Sequence, residues 1–194
     1  MEEISMRKIV FLVHISLDGF VAGPNGEMNW IHAPQELFDW GSTLTDQADT
    51  ALYGRITYGM MKNYWPTAGN KTNASKHDRE HSAWYNQSTK IVVSKTLPDE
   101  GIEKTIIIRD RVAETIREIK QQPGKNIQIY GSPSVIQELL NADLIDEFYV
   151  SVNPVILGKG KPLFHGIQKK MNFHLVETKT FPQGVVLLHY EKGE

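Results

Sequence analysis

Cysteine is absent from the 194 residues, which excludes disulfides, thiolate nucleophiles, thiolate-bound zinc and any deaminase domain built on a P-C-x-x-C zinc motif. A chain without cysteine fits a reducing compartment, and the cytoplasm is the expected location. An excess of positive charge is also missing: Lys and Arg number 21 against 23 Asp and Glu, so the net charge is 21 − 23 = −2. No broad basic surface is available for nucleic acid or an anionic membrane, and any anion site must be local. Long apolar runs are lacking too. Residues 1–21 hold too few consecutive apolar side chains for a signal peptide or a membrane span. With 40% hydrophobic residues and no internal repeat, the chain is expected to form one domain over residues 7–191 around one core.

What is present centres on residues 127–134, I-Q-I-Y-G-S-P-S, an alternating apolar run that stops at a glycine and reopens as a helix. Gly131 lets backbone approach a ligand, Pro133 suits a first helical turn, and Ser132 or Ser134 can cap free N–H groups. Such a helix start favours an anion, typically a phosphate. Residues 8–15, K-I-V-F-L-V-H-I, read as a central strand covered on both sides. The following residues 16–30 carry three glycines, a proline and two asparagines, so regular structure is not expected beyond the start of this segment. Helices are expected at 35–48, from 54 onward, at 75–85, 111–121 and 133–140, and strands at 50–53, 90–94, 104–108 and 146–153. Residues 63–89 are polar and read as an insertion, and 154–164 as a loop. Residues 172–180 and 184–191 form an expected antiparallel hairpin at the sheet edge. The order predicts an α/β fold with a mostly parallel sheet and helices on both faces.

Three strand ends resemble one another: Tyr53 into Gly54-Arg55-Ile56-Thr57, Val93 into Ser94-Lys95, and Tyr130 into Gly131-Ser132-Pro133-Ser134. In a parallel sheet these ends share one edge, where α/β ligands bind. Arg55, Lys95 and Arg109 add positive charge, which suits a ligand with several phosphates. His77 and His81 stand at i, i+4, a spacing able to bind metal, but no third ligand is evident and the polar surroundings predict a solvated helix face with no metal.

Ser16-Leu17-Asp18-Gly19-Phe20, Gly54-Arg55-x-Thr57-Tyr58, Tyr130-Gly131-Ser132 and Pro154-Val155-Ile156-Leu157-Gly158-x-Gly160-x-Pro162-Leu163-Phe164 together resemble the dihydrofolate reductase-like superfamily. Within it, the chain is most similar to the reductase domain of bacterial riboflavin biosynthesis (the RibD C-terminal domain) and its stand-alone relatives. The resemblance implies a three-layer dihydrofolate reductase-like fold and NADPH-dependent hydride transfer to a small heterocyclic or sugar-derived substrate, as in 5-amino-6-(5-phosphoribosylamino)uracil reductase. Dihydrofolate reduction and a non-catalytic dinucleotide-binding module or sensor are the alternatives. Carried over by residue, Gly54, Arg55 and Thr57 would meet cofactor phosphates, Ser94, Lys95 and Arg109 would flank the adenosine 2′-phosphate, and Gly131, Ser132, Ser134 and Val135 would cradle the pyrophosphate. The loop from Ile15 through Ala22 would cover the nicotinamide, with Ile15, Trp30 and Tyr130 lining the substrate pocket. Asp18 is the candidate catalytic carboxylate, with a pKa expected to be raised beside an apolar nicotinamide. Where dihydrofolate reductases carry an acid in the first helix, this sequence has Gln35 and Glu36. A homodimer is implied as well, its sequence hint being apolar residues in 148–164.

Overall fold

The computed structural model describes residues 6–99 and 101–193. Strands β1 (Ile9–Ser16) and β2 (Phe20–Ala22) precede helix α1 (Gln35–Asp46), then come β3 (Ala48–Gly54), α2 (Arg55–Ala68), α3 (Lys76–Gln87), β4 (Thr89–Val93) and β5 (Thr105–Ile108). Helix α4 (Val112–Lys120), β6 (Asn126–Gly131), α5 (Pro133–Asn141), β7 (Glu147–Asn153), β8 (Lys161–Pro162), β9 (Phe173–Thr180) and β10 (Val186–Lys192) complete the chain. Eight strands form one sheet in the order β5-β4-β3-β6-β1-β7-β10-β9, parallel as far as β7 and antiparallel beyond it.

Alternation along the strands builds two cores. Ile9 and Phe11 of β1, Leu52, Ile91, Ile127, Ile129 and Phe148 point to one face, where α4 adds Val112, Ile116 and Ile119 and α5 adds Val135, Ile136, Leu139 and Leu140. These spacings of three and four residues put the apolar groups of each helix on one stripe. The opposite face carries Val10, Tyr149 and Leu187 under Leu37 and Leu44 of α1, and Ala51, Tyr53 and Val92 under Tyr58 of α2 and Tyr85 of α3. The edge strand β9 is exposed along its whole length. No helix among the described residues is long and apolar enough to cross a membrane.

Three expectations are corrected. Residues 16–30 and 154–164 are not wholly irregular: β2 and β8 pair as a short antiparallel ribbon, Phe20 against Pro162 and Ala22 against Lys161. A Cβ on Gly160 would run into the Ala22 carbonyl oxygen, so glycine is what lets these strands close. Helix α1 stops at Asp46, because Ala48 already begins β3. The hint of exposed apolar residues in 148–164 divides: Phe148 is core at 3% exposure, whereas Ile156 is 72% and Phe164 53% exposed. The polar segment 63–89 supplies the last turn of α2 and then α3, started by a capping box between Ser75 and Asp78.

Candidate active site

Because β1 and β3 to β7 run parallel, Ser16, Gly54, Val93, Ile108, Gly131 and Asn153 end their strands on one edge. Gly54 and Ser132 are the N-caps of α2 and α5, and neither helix start is satisfied by a side-chain cap. The two starts lie against each other. A Cβ on Gly54 would overlap the Ser132 hydroxyl and stand 3.3 Å from the Ser132 nitrogen, and one on Gly131 would stand 3.2 Å from Thr57 Oγ1. Gly131 sits at φ +120°, a conformation L side chains rarely adopt, and the Gly131–Ser132 peptide is cis. Two helix dipoles therefore end at one spot, although in α5 Pro133 carries no N–H and those of Val135 and Ile136 are taken by the Ser132 carbonyl.

Around this cradle, Ser132 Oγ and Ser134 Oγ share a hydrogen bond of 2.9 Å. Val135 is different in kind: its side chain is buried in the core and its N–H donates to the Ser132 carbonyl at 3.1 Å, which anchors the helix start. Arg55 and Lys95 are exposed and without ion pairs among the described residues. Arg109 Nη1 donates to the Lys95 carbonyl at 3.4 Å. Ser94 Oγ accepts from the N–H groups of Leu97 (2.9 Å) and Thr96 (3.2 Å), which bends the chain and keeps Lys95 beside Arg109.

Asp18 lies in the turn between β1 and β2, and its task is visible in its contacts. Ser16 Oγ donates to its Oδ1 at 2.7 Å, Leu157 N–H to Oδ1 at 3.1 Å and Gly158 N–H to Oδ2 at 2.7 Å. Leu17 N–H to the Val155 carbonyl (2.8 Å) and Leu163 N–H to the Gly19 carbonyl (3.0 Å) tie the same two segments. The Ser16 hydroxyl first, and then the two N–H groups, hold the Asp18 pKa below its ordinary value. The expected raised pKa is thus reversed, since the carboxylate is exposed and surrounded by donors.

The burial of β1 changes along its length: Ile9, Val10 and Phe11 are buried as a central strand requires, but Leu12, Val13, His14 and Ile15 are only half-buried. Val13 and Ile15 pack toward the α4 and α5 side, while Leu12 and His14 face α1. Register sets His14 beside Ser151 and Ser16 beside Asn153. Asn153 Oδ1 accepts from the His32 N–H at 2.7 Å and so fixes the segment that leads into α1. Trp30 bonds its own loop, Nε1 to the Glu27 carbonyl at 3.0 Å. Tyr130 leaves the edge: its ring stacks on Tyr53 at 5.6 Å and meets His81 at 5.6 Å and Trp84 at 5.7 Å beneath α3. Gln35 and Glu36 are exposed, and Gln35 bonds Asp39 at 3.1 Å on the outer side of α1. A separate groove of about 620 Å³ lies by Asp46, Ala48, Trp84 and Lys125, at the far end of β3 from Gly54.

His77 and His81 do not form a solvated face. His81 is 8% exposed, 4.1 Å from Trp65 and 5.2 Å from Trp84, and His77 stacks on Phe38 at 4.2 Å. Imidazole is apolar enough on its flat sides to be buried among indoles, which the polar sequence of α3 conceals. Burial pulls His81 from 6.5 to about 3 and His14 from 6.5 to about 4. Above pH 6.5 both are neutral whether the chain is folded or not. As pH falls below that value the unfolded chain takes up protons that the folded one refuses, so stability declines until about pH 3. The loss from His81 alone should reach roughly 3–5 kcal/mol. Urea midpoints measured across this range should drop steeply for the wild type and less for His81→Phe. Parallel curves for the two proteins would refute the assignment.

Known proteins share this fold. The family model described as the RibD C-terminal domain matches residues 7–187. The Bacillus subtilis (strain 168) protein YyaP, uncharacterized, is 37% identical over 191 residues, covering 96% of both chains. Among solved structures, a Thermotoga maritima diaminohydroxyphosphoribosylaminopyrimidine deaminase/5-amino-6-(5-phosphoribosylamino)uracil reductase superposes with a TM-score of 0.68 at 16% identity, over 97% of this chain and 57% of that one. An Enterococcus faecalis dihydrofolate reductase complexed with NADP(H) superposes with a TM-score of 0.63 at 18% identity, over 96% and 97% of the two chains. At these identities the structural likeness shows the fold, which is dihydrofolate reductase-like.

Proposed function

The chain belongs to the RibD C-terminal domain family, and on that footing we propose that it is an NADPH-dependent reductase acting on a small heterocyclic or sugar-derived substrate, similar to 5-amino-6-(5-phosphoribosylamino)uracil reductase. The observation that carries this reading is the cradle of Gly54 and Gly131, where missing Cβ atoms let two uncapped helix starts lie against each other. Gly54, Arg55, Thr57, Gly131, Ser132 and Ser134 would hold the pyrophosphate there, and Ser94, Lys95 and Arg109 the 2′-phosphate. The bound cofactor supplies the hydride. The protein would supply position, through the ribbon of β2 and β8 with Ala22 and the half-buried Ile15 near the end of β1.

Substrate would enter from the α1 side of β1, where Trp30 and the His32 segment stand next to Asn153. The exposed Gln35 and Glu36 offer no inward carboxylate, which argues against dihydrofolate as the natural substrate. A sensor without turnover is the second reading, favoured by one observation: Asp18, the candidate proton donor, is committed to the Leu157 and Gly158 N–H groups. NADPH oxidation assayed with the ribosylamino-pyrimidine riboflavin precursor and with dihydrofolate separates the readings. Turnover of the precursor supports the reductase, and tight NADPH binding with no turnover of either substrate supports the sensor.

Cofactor choice gives a sharper expectation. The strand end at Ser94-Lys95 carries a hydroxyl and a cation where an NAD site carries an acid on the ribose. Lys95 also opposes the raised pKa of Glu138, which burial and then Glu114 push upward. NADPH should therefore bind more tightly than NADH. Lys95→Ala should narrow that preference about ten- to a hundredfold, the worth of one charge-assisted contact of about 1.5–3 kcal/mol. Fluorescence titration of both cofactors checks this, and equal affinities in the wild type would overturn the NADPH assignment.

A further inference from the structure

Charge is unevenly spread along the chain. Residues 148–176 hold Lys159, Lys161, Lys169 and Lys170 and no Asp or Glu, in a protein whose net charge is −2. Asn141, the last residue of α5, fastens part of this stretch to the helix: its Nδ2 donates to the Gly166 carbonyl at 3.0 Å and its Oδ1 accepts from the Gln168 N–H at 2.9 Å. The chain then passes the C-terminal end of α5 and enters β9 at Phe173. There Lys169, Lys170, Met171 and Phe173 close one side of a hollow of about 200 Å³, and Leu140, Asp143, Ile145, Phe148 and Lys192 stand on the other. Phe148 is near the start of β7 and Asn153 ends it, so the hollow lies roughly 17 Å along the strand from the edge that gathers the phosphate cradle. It is a different place with a different lining.

The floor is apolar. Leu140, Ile145 and Phe148 belong to the core, and Phe173 lies on Phe148 with ring centres 4.5 Å apart yet keeps 38% of its surface exposed. Met171 is half-buried against the same core and supplies a soft, adaptable wall. The rim is cationic. Of its three lysines, Lys192 is paired with Asp143 at 2.8 Å. That bond first, and the charge of Lys169 more weakly, hold the Asp143 carboxyl below its ordinary value, so the one acid of the lining is already balanced. Lys169 and Lys170 have no ion pair among the described residues. Two uncompensated cations therefore border exposed apolar surface. Inorganic phosphate would answer the lysines and leave the rings uncovered, and a hydrocarbon would do the reverse. Size narrows the choice further. An apolar cavity of about 150 Å³ holds benzene, whereas sites for larger molecules run to about 300–1,000 Å³. A hollow of about 200 Å³ takes one ring with a short side group and is too small for a dinucleotide.

We propose that this hollow is a binding site for a small aromatic carboxylate, with the ring against Phe173 and Met171 and the carboxylate held by Lys169 and Lys170. Both halves of the recognition come from one short run of sequence, residues 169–173, placed where the chain leaves α5 for the sheet edge. Exposed lysines are well solvated, and each such contact is weak and screened by salt. Affinity is therefore expected in the millimolar range and should fall as salt is added. Nothing in this site draws on the cofactor cradle, so it stands or falls independently of the reductase reading.

The test uses the full chain with ¹³C-labelled methionine methyl groups, the Met171 signal being identified by its loss in Met171→Leu. Phenylacetate at millimolar concentration should move the Met171 methyl resonance through the ring current of its phenyl group. Benzylamine has the same ring with a cation, and inorganic phosphate has the anion without a ring. Both should bind more weakly than phenylacetate. Phenylacetate affinity should fall about three- to tenfold in the double variant Lys169→Gln/Lys170→Gln, whose side chains are exposed and whose fold a circular dichroism melt verifies. It should fall about threefold in Phe173→Leu, which keeps an apolar group on Phe148 but removes the exposed ring. No shift of Met171 with phenylacetate, binding of benzylamine or phosphate as tight as that of phenylacetate, or unchanged affinity in the folded double lysine variant overturns the proposal.

Discussion

Gly131→Val should weaken NADPH binding by at least about a hundredfold while the protein remains folded. At φ +120° a branched side chain is strained, and its Cβ already meets Thr57 Oγ1 at 3.2 Å before the added methyl groups are placed. Relief requires the first turn of α2 to move away from that of α5, and the two helix starts then no longer converge on one group. Strain of this kind costs about 1–3 kcal/mol, which a domain of ordinary stability survives. Loss of two charge-assisted contacts to phosphate costs about 3–6 kcal/mol, which sets the hundredfold floor. A companion pair locates the effect. Gly54→Ala drives a methyl into the Ser132 hydroxyl, and Ser132→Gly in the same chain should restore part of the affinity. Fluorescence titration with NADPH and a circular dichroism melt report binding and folding separately. A folded Gly131→Val protein with wild-type affinity would show that the cradle does not hold the cofactor.

Asp18→Ala should lower kcat by about a hundredfold, the penalty for letting reacting groups shift by an ångström or so. The carboxylate is where the turn after β1 and the segment before β8 are joined, through Leu157 and Gly158. Without it the ribbon over the edge loses its brace. Asp18→Asn keeps one acceptor oxygen for these donors and should recover part of the rate. A proton donor would behave otherwise, since the amide would be as inert as alanine. The pH dependence gives a second discriminant. A carboxyl held below 3.8 is ionised throughout the neutral range, so Asp18 should contribute no limb to the kcat profile between pH 5 and 9. An Asn variant as slow as Ala, together with loss of such a limb, would return Asp18 to a direct role in proton transfer.

How much of this was legible beforehand depends on whether the signal was local. Residues 8–15 and 127–131 are apolar runs closed by small residues, and each became a central strand because nothing but a doubly covered position accommodates them. Glycine after a strand, followed by a helix, marked both helix starts that meet at Gly54 and Gly131. The ribbon of β2 and β8 was invisible because its two short strands are specified by each other across the chain, through the fit of Gly160 under Ala22. The inward histidines of α3 were misplaced because hydropathy counts the imidazole and not the indoles of Trp65 and Trp84 that receive it.

The placement of β1 in the sheet has a consequence in time as well as space. Its two neighbours are β6 and β7, and the hydrogen bond from Lys8 N–H to the Asn126 side chain spans 118 residues. During synthesis β3, β4 and β5 can meet soon after they emerge, but β1 must wait with both edges unpaired until most of the chain has been made. Closure of that long loop precedes any reward from the central pairs, the circumstance that makes sheets of distant strands slow to form. The Gly131 turn ends one of those late strands. The meeting of the α2 and α5 helix starts at Gly54 and Gly131 is thus completed in the same closing event that buries β1, and a nascent chain lacks it until its sheet is whole.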